Sequence, residues 1–286
     1  MRCRCLVPDT TPAYAHTMQN NILPFPIPPR VPAGLSIIAF GDVHGHLDLM
    51  EAILTKAQSR AALKPDRRHI VISLGDLVDR GPNSAGVVAR AMHEVPGCEF
   101  IVLRGNHETL MMAFLDGDPD ATVWLEWGGM ETLHSYGVDT RGKSPRSRHD
   151  VEDLRADFRA RMIPAHLEFL RVRPLCTTFG DYFFVHAGAR PGVPLHLQKE
   201  HDLIWIREEF LPSSFRFEKK IVHGHTPVDV PDFRGNRINL DTGAPYGGAL
   251  SAVLFEEDEV SVFASIAATA PAWVKDSILA DVAPVS

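Results

Sequence analysis

A carboxylate and an imidazole two positions apart, Asp42 and His44, form the first pair along the chain whose types and setting indicate a reactive site. They follow the apolar run 35–39, so a buried strand is predicted to end just before them. Gly41 and Gly45 flank the pair and permit the dihedrals and close approach that a tight turn needs. A hard oxygen ligand beside a nitrogen ligand can begin a divalent-metal site, although an Asp-x-His pair also commonly caps a loop.

The same arrangement occurs twice more along the chain. A second apolar run, 69–74, precedes Asp76, and a third, 99–103, precedes Asn106. Asp76 lies 34 positions after Asp42, and Asn106 lies 30 positions after Asp76, which is the length of one strand-helix-strand unit. Three parallel strands are therefore predicted to bring a polar cluster to one end of a sheet, where open α/β sheets place their sites.

The remaining elements follow from periodicity and turn residues. We predict helices over 47–57 and 83–93, a mostly helical insert over 109–174, and one helix over 158–170 within it. Strands over 182–185 and 220–222 end at two further polar motifs, His186-Ala187-Gly188 and His223-Gly224-His225-Thr226. The C-terminal part predicts short antiparallel strands over 237–240, 250–255 and 260–264.

Taken together, the motifs GDVHG, GDLVDRG, RGNHE, HAG and HGHT resemble those of the calcineurin-like metallophosphoesterase superfamily. Within it, the chain is most similar to the bacterial and phage-lambda-type PPP serine/threonine protein phosphatases. The resemblance covers residues 36–265 with the motifs in the same order. It implies an α/β fold of four layers, αββα, with a mixed central β-sandwich and two metal ions at its rim.

The resemblance also implies six metal ligands. Asp42 and His44 would bind the first metal, Asp76 would bridge both, and Asn106, His186 and His225 would complete the second. Carboxylate, amide and imidazole ligands without thiolates suit Mn²⁺, Fe or Zn, and we expect two Mn²⁺ ions. Two such cations can clamp a phosphoryl group and lower the pKa of a bridging water for in-line attack.

Four catalytic residues follow from the same resemblance. His107 would protonate the leaving oxygen, Asp79 would orient His107, and Arg80 and Arg207 would hold the phosphate oxygens. The alternatives are an ion pair with Arg80 for Asp79 and a helix-surface ion pair for Arg207.

Four more residues receive weaker assignments. Tyr246 lies near the position where the family has an aromatic residue lining the site, and Glu108 and Arg104 are expected to support the ligands. His223 stands where eukaryotic relatives usually have Arg, so it either faces the substrate or packs in the core.

The implied function is hydrolysis of phosphomonoesters, with phosphoserine or phosphothreonine in proteins as the expected substrate. The alternative is a symmetrical diadenosine tetraphosphate hydrolase, acting on dinucleoside polyphosphates or nucleotide-capped RNA ends. We favour the monoester phosphatase because Asp79, Arg80 and Glu108 depart from the pattern typical of those hydrolases. A non-enzymatic phosphoprotein-binding scaffold would have lost ligands, whereas every ligand position is filled.

Composition limits the other possibilities. The net charge of −7 argues against a nucleic-acid-binding surface as the main purpose, apart from the capped RNA ends above. No apolar run approaches the ~18 residues of a membrane helix, and no signal peptide is evident, so we expect a cytoplasmic protein without a membrane partner. We predict a Pro-rich tail at 1–33, a catalytic domain at 34–270 and a C-terminal tail at 271–286.

Overall fold

The computed structural model describes residues 28–267, which form two five-stranded sheets with helices around them. The strands are β1 (Leu35–Phe40), β2 (Arg68–Ser73), β3 (Cys98–Val102), β4 (Cys176–Phe179), β5 (Tyr182–Val185), β6 (Lys220–His223), β7 (Asp232–Phe233), β8 (Arg237–Asn239), β9 (Ala249–Glu256) and β10 (Glu259–Ala267). The helices are α1 (Leu47–Leu63), α2 (Ser84–Ala91), α3 (Asn106–Asp116), α4 (Gly129–Ser135), α5 (Arg148–Arg161), α6 (Pro164–Arg171) and α7 (Glu200–Trp205). Short 3₁₀ helices cover Asp120–Trp127, Leu195–Leu197 and Ala244–Tyr246.

The first sheet has the strand order β10-β9-β1-β2-β3, and the second has the order β4-β5-β6-β8-β7. In the first sheet β1, β2 and β3 are parallel, as predicted, while β9 and β10 are antiparallel additions at one side. In the second sheet β5, β6 and β8 are parallel, and the edge strands β4 and β7 are antiparallel. Both sheets are therefore mixed.

Successive side chains of β1 point to opposite faces of the first sheet, and this alternation shows which layers pack on each face. Ile37 and Ala39 point into the core shared with the second sheet, where they meet Phe184 and Val222. Ile38 and Phe40 point the other way, into the core under the helices. A third cluster packs the far face of the second sheet against α7 and its flanking loops. The expected four-layer αββα architecture is confirmed, with a thin fourth layer, because α7 has only six residues.

Two local predictions were wrong. The helix predicted over 158–170 is two helices, because α5 ends at Arg161 and α6 begins at Pro164, whose ring cannot continue a helix but suits a first turn. The strand near 237–240 is not part of an antiparallel set with its successors: β8 pairs in parallel with β6 in the other sheet. By contrast, α2 begins as expected, with the Asn83 side chain accepting a hydrogen bond from the Gly86 N–H.

The predicted tails lie mostly outside the described residues, so the domain boundaries stay predictions. Within the described part, Val31 is buried, and its N–H donates to the Glu257 carbonyl in the turn between β9 and β10. The Arg30 carbonyl accepts from the Asp181 N–H in the β4–β5 turn. The last residues before β1 therefore bridge both sheets. Among residues 28–267, no helix is long and apolar enough to cross a bilayer, and the cytoplasmic location stays a prediction.

Candidate active site

The predicted ligands meet where the two sheets present the carboxyl ends of their strands. Asp42 follows β1, Asp76 follows β2, and Asn106 begins α3 after β3. The second sheet supplies His186 after β5 and His225 after β6. His186 links the two sets, since its ring nitrogens lie 3.0 Å from the Leu74 carbonyl and 2.8 Å from Asn106 Oδ1. All of the predicted ligands are buried.

Two groups of candidate metal ligands share Asp76. One group contains His44, Asp76 and His107, the other contains Asp76, His186 and His225, and within each group the ligand atoms lie within 4.8 Å of one another. Asp76 Oδ2 lies 3.6 Å from His44 Nε2 and 3.4 Å from His186 Nε2. One carboxylate oxygen of Asp76 therefore lies near ligand atoms of both groups.

The chemistry of this cluster fits divalent cations. The Nε2 atom of His225 is buried without a hydrogen-bond partner among the described residues, which is costly unless a ligand occupies it. Burial lowers the pKa values of His44, His186 and His225, and the neutral imidazoles that result are the form that binds metals. Burial would raise the pKa of Asp76, but the neighbouring histidines outweigh it and keep this carboxylate ionised.

Asp42 lies beside this cluster and not within either group. Both of its carboxylate oxygens accept from the His225 N–H, at 3.1 and 3.2 Å. Burial and the negative charges of Asp241 and Asp76 raise its pKa well above the usual value. The pKa of Asp241 is likewise raised, to about 6, chiefly by burial. Converging buried carboxylates repel one another, and a cation between them would relieve that repulsion.

Asp241 is a site residue that the sequence analysis missed. It lies two residues after the end of β8 and is buried, with Oδ1 accepting from the Gly243 N–H at 3.0 Å. The available signal was its position, since a carboxylate two or three residues after a strand is the pattern that identified Asp42 and Asp76. This signal was not used because β8 was predicted to belong to a set of antiparallel strands. The ends of such strands do not meet the carboxyl ends of the parallel strands that carry the other ligands.

His107 and Asp79 form the pair that the sequence predicted. His107 Nδ1 lies 2.6 Å from Asp79 Oδ2, and the same oxygen accepts from Trp124 Nε1 at 2.7 Å. The other Asp79 oxygen accepts from Thr132 Oγ1 at 2.6 Å. An ion pair between Asp79 and Arg80, the alternative for this carboxylate, is not among the ion pairs of the described residues. Trp124 and Thr132 were missed because the insert that carries them was interpreted only as helical packing.

The environment of His107 favours its protonated form. Burial lowers the pKa of the ring, but the negative charge of Asp76 and the hydrogen bond to Asp79 outweigh burial, so the pKa is raised. A protonated imidazole with its Nδ1–H fixed by a carboxylate presents its Nε2–H to the site, which is how a general acid is held ready. His107 also belongs to one of the metal-ligand groups, so both roles are open to it geometrically.

Glu108 holds the backbone of the β2 turn. Its carboxylate accepts the N–H groups of Asp76 at 3.0 Å, Leu77 at 2.7 Å and Gly105 at 2.8 Å. Burial and the charge of Asp76 raise its pKa to about 7. Glu108 therefore holds the turn that carries Asp76. Arg104 does not touch the cluster, since it pairs with Glu200 at the start of α7.

Backbone strain is concentrated at this site. Six non-glycine residues within 28–267 have positive φ, and five of them are motif residues: His44, Asp76, Asp79, Arg80 and His225. Such conformations cost about 1 kcal/mol or more each and persist only where the surroundings impose them. Part of that constraint is the close approach of Gly105, where a Cβ would lie 2.0 Å from Asp76 Oδ1.

The two predicted phosphate-binding arginines line the same cavity. Arg80 contacts His44 Nε2 through Nη1, and its guanidinium lies 5.3 Å from the ring centre of Tyr246. Arg207 follows α7 and donates to the His225 carbonyl at 3.2 Å, so it is not a helix-surface ion pair. The cavity measures about 570 Å³. Its lining consists of Arg80, Asn106, His107, Leu125, Glu126, Trp127, Gly128, Met130, Glu131, Trp205, Arg207 and Tyr246.

His223 takes the packing alternative. Its ring is fully buried and lies 5.0 Å from the ring of Phe210, and Nδ1 lies 3.0 Å from the Gly224 carbonyl. Burial lowers its pKa to about 3, so the ring is neutral. It does not line the cavity described above.

Comparison with known proteins identifies the family. The family model of the calcineurin-like phosphoesterases matches residues 35–262. The chain is 26% identical over 259 residues to an asymmetrical bis(5'-nucleosyl)-tetraphosphatase, PrpE, of Oceanobacillus iheyensis, covering 83% of this chain and 94% of that protein. It is 24% identical to the protein of the same name from Bacillus subtilis, over 79% of this chain and 93% of that one.

Solved structures show the same fold. A putative diadenosine tetraphosphatase superposes with a TM-score of 0.52 at 20% identity, covering 82% of this chain and 98% of that one. A cold-active protein-tyrosine phosphatase of a Shewanella species superposes with a TM-score of 0.50 at 15% identity, covering 82% of this chain and 83% of that one. The matched segment contains all five motifs and nearly all of both sheets, and the chain therefore belongs to the calcineurin-like phosphoesterase family.

Proposed function

We propose that the chain hydrolyses dinucleoside polyphosphates at a centre of two divalent metal ions, with Mn²⁺ as the expected metal. The observation that carries the hydrolytic part is the pair of ligand groups that share Asp76, directly beside the His107–Asp79 pair. The ligands would be Asp42, His44, Asp76, Asn106, His186 and His225. Two cations bound there would polarise the phosphoryl group and lower the pKa of an attacking water.

The protein residues have separate tasks in this proposal. Asp76, which belongs to both groups, would bind both metal ions, and Glu108 fixes the turn that carries it. Arg80 and Arg207 face the cavity and hold the non-bridging phosphate oxygens, whose charge is spread out in the transition state. His107 gives a proton to the leaving oxygen, and Asp79 keeps the imidazole in the donating orientation.

The substrate class rests on the relatives. Those named above are asymmetrical tetraphosphatases, and the chain spans more than nine-tenths of their length. These relatives support the dinucleotide hydrolase of the sequence analysis over the protein phosphatase. They differ from it in the bond cleaved, because they are named as asymmetrical and not symmetrical hydrolases. Asymmetrical cleavage adds water across one terminal phosphoanhydride and yields a nucleoside monophosphate and a triphosphate, whereas symmetrical cleavage yields two diphosphates.

A protein phosphoserine or phosphothreonine phosphatase is the second candidate, and one observation favours it. The alkoxide leaving group of serine or threonine is strongly basic and must be protonated, whereas a leaving phosphate needs less help. The elaborate support of His107 by Asp79, Trp124 and Thr132 suits the harder of these two tasks.

Among the described residues, Cys98 and Arg104 are not placed to act together through a phosphocysteine. Cys98 and Arg104 have the Cys-x5-Arg spacing of enzymes that form a phosphocysteine. However, Cys98 begins β3 and Arg104 follows its far end, so an extended strand holds them roughly 20 Å apart. The Cys98 thiol donates instead to the Ala57 carbonyl, and burial raises its pKa.

The test is a substrate panel in the presence of Mn²⁺, comparing diadenosine tetraphosphate with a phosphothreonine peptide and a phosphotyrosine peptide. We expect the dinucleotide to have the highest kcat/KM and to yield AMP and ATP, separated by ion-exchange chromatography. A phosphothreonine peptide preferred by a hundredfold, about 2.7 kcal/mol in transition-state binding, would select the second candidate. Asp76→Asn is the control for contaminating activity, because it should be inactive on every substrate.

A further inference from the structure

Three aromatic side chains line the cavity beside the arginines. Trp127 is 43% exposed and Tyr246 is 64% exposed, while Trp205 is half-buried and packs against the third core cluster. Large, partly exposed aromatic residues gathered in one cavity usually mark a ligand surface. Tyr246 contacts Arg80, whereas the exposure of Trp127 is explained by neither the metal ligands nor the arginines.

Trp127 and Trp205 form a corner. Their ring centres lie 6.0 Å apart with the planes at 63°, so the two rings meet edge to face and do not stack on each other. The ring of Trp205 also lies 6.1 Å from that of His225, which joins the corner to the metal-ligand cluster. A flat group that stacked on one indole would meet the other indole at its edge, and it would then lie close to the reacting centre.

Two acidic residues, Glu126 and Glu131, also line the cavity. The Glu126 carboxylate pairs with Arg146 at 2.9 Å, whereas Glu131 is exposed and no ion pair of the described residues involves it. The lining thus combines the cationic Arg80 and Arg207 with aromatic side chains and the carboxyl group of Glu131. An anionic group is favoured beside the arginines, and a flat, uncharged group with N–H donors is favoured beside the aromatic residues and Glu131.

We propose that the Trp127–Trp205 corner binds one nucleobase of the substrate, with Glu131 accepting a hydrogen bond from its exocyclic amino group. The proposal rests on the proposed dinucleotide hydrolase function and names the residues that recognise the substrate. A base is flat, uncharged and rich in N–H donors, and aromatic side chains bind every base through its π face. Because the corner and the arginines share one 570 Å³ cavity, the phosphates near the bound base are the ones held for attack.

The first experiment compares Trp127→Ala with wild type on two substrates that contain phosphoanhydride bonds, diadenosine tetraphosphate and inorganic tripolyphosphate. Loss of one base–aromatic stack should lower kcat/KM for the dinucleotide by about 5- to 150-fold relative to tripolyphosphate, which has no base. Trp127→Phe should restore most of the loss, since a smaller aromatic ring remains. Phe233→Ala, an exposed aromatic residue outside the cavity, is the matched control and should leave the ratio unchanged.

The second experiment tests whether Glu131 recognises the exocyclic amino group of adenine. Diinosine tetraphosphate carries a carbonyl where adenine has its exocyclic amino group, so wild type should prefer the diadenosine substrate. Glu131→Gln, which replaces the carboxyl group with an amide, should reduce that preference. An unchanged preference in Glu131→Gln would remove Glu131 from the proposal.

The outcomes separate this inference from the proposed function. If wild type cleaves diadenosine tetraphosphate but Trp127→Ala changes the substrate ratio no more than Phe233→Ala does, the base subsite is wrong and the function stands. If wild type does not cleave it, the base subsite is tested by calorimetry, which measures binding of AMP to the Mn²⁺-loaded protein. Binding weakened at least fivefold in Trp127→Ala would uphold the subsite, and binding equal to wild type would overturn it as well.

Discussion

Replacing Asp79 with asparagine tests whether this carboxylate makes His107 a proton donor. Asp79 is fully buried, and its two oxygens accept hydrogen bonds from His107, Trp124 and Thr132 at 2.6, 2.7 and 2.6 Å. Asparagine has nearly the same shape, and its amide oxygen can still face His107 and Trp124. The substitution therefore removes the negative charge and leaves the packing nearly intact.

The expected loss follows from the hydrogen bond that it weakens. A hydrogen bond to a charged group contributes about 1.5–3 kcal/mol. At about 1.36 kcal/mol per tenfold change, that is roughly a ten- to 150-fold loss in kcat. The full loss is expected only where the leaving group must be protonated, as in a phosphothreonine peptide. With p-nitrophenyl phosphate, whose leaving group needs little protonation, kcat should fall only a few-fold, and diadenosine tetraphosphate should lie nearer to this case.

The pH dependence supplies a second readout. Burial lowers the pKa of His107, but Asp76 and the hydrogen bond to Asp79 raise it above its ordinary value in the net. The acid form therefore persists to a higher pH than in an unperturbed histidine, and activity is lost as pH rises through the raised pKa. The negative charge of Asp79 also raises this pKa, and Asp79→Asn removes that charge, so the alkaline limb of the kcat profile should move to lower pH.

The assay is steady-state kcat with Mn²⁺ on the peptide and on p-nitrophenyl phosphate, with metal content measured for each variant. Asp157→Asn, an exposed aspartate on α5, is the matched control. Trp124→Phe removes one hydrogen bond to the same Asp79 oxygen and should produce a smaller loss. Equal losses on the two substrates, or an unmoved alkaline limb, would refute the role of His107 as a general acid oriented by Asp79.

Three further predictions concern the metals, the phosphate clamp and the buried network. Chelation should abolish activity, and Mn²⁺ should restore it. Asp76→Asn should lower the metal content, measured by elemental analysis, more than His44→Ala does, and the reverse order would contradict bridging by Asp76. Arg80→Lys keeps the charge but loses the planar fork, so kcat should fall about tenfold in the same assay, and a change in KM alone would argue against transition-state clamping. Thr132→Val removes a hydrogen bond to Asp79 and should cost about 1–3 kcal/mol in urea unfolding, whereas undiminished stability would show that the network adapts.

The half of the site on the first sheet could be predicted because it depends on sequence patterns within each strand and turn. Each of β1, β2 and β3 is an apolar run ended by a glycine-containing turn, and the spacings leave room for one helix between strands. Parallel pairing then follows, and it places Asp42, Asp76 and Asn106 at one edge. Recognition of the family supplied the other half, His186 and His225, whose strands belong to a different sheet.

What the sequence did not predict depends on long-range pairing. β8 has three residues, and nothing in them indicates that it pairs in parallel with β6 in addition to its antiparallel pairing with β7. That uncertainty concealed Asp241, which follows β8. Trp124 and Thr132 lie 45 and 53 positions after Asp79, in an insert whose helical pattern does not indicate which side chains face the site.

The strained residues explain why local propensity is least informative at the site itself. His44, Asp76 and Asp79 have φ values of 43°, 51° and 77°, in a region that a side chain disfavours, so propensity alone would put glycine or asparagine there. They are held by contacts from distant parts of the chain, such as Glu108 on the Asp76 turn and Thr132 on the Asp79 N–H. The cost in local conformational energy is offset by these contacts, and the resulting backbone places His44 and Asp76 in one ligand group and Asp79 against His107. Residues that violate local rules at successive strand ends are thus themselves a sign that the site is functional.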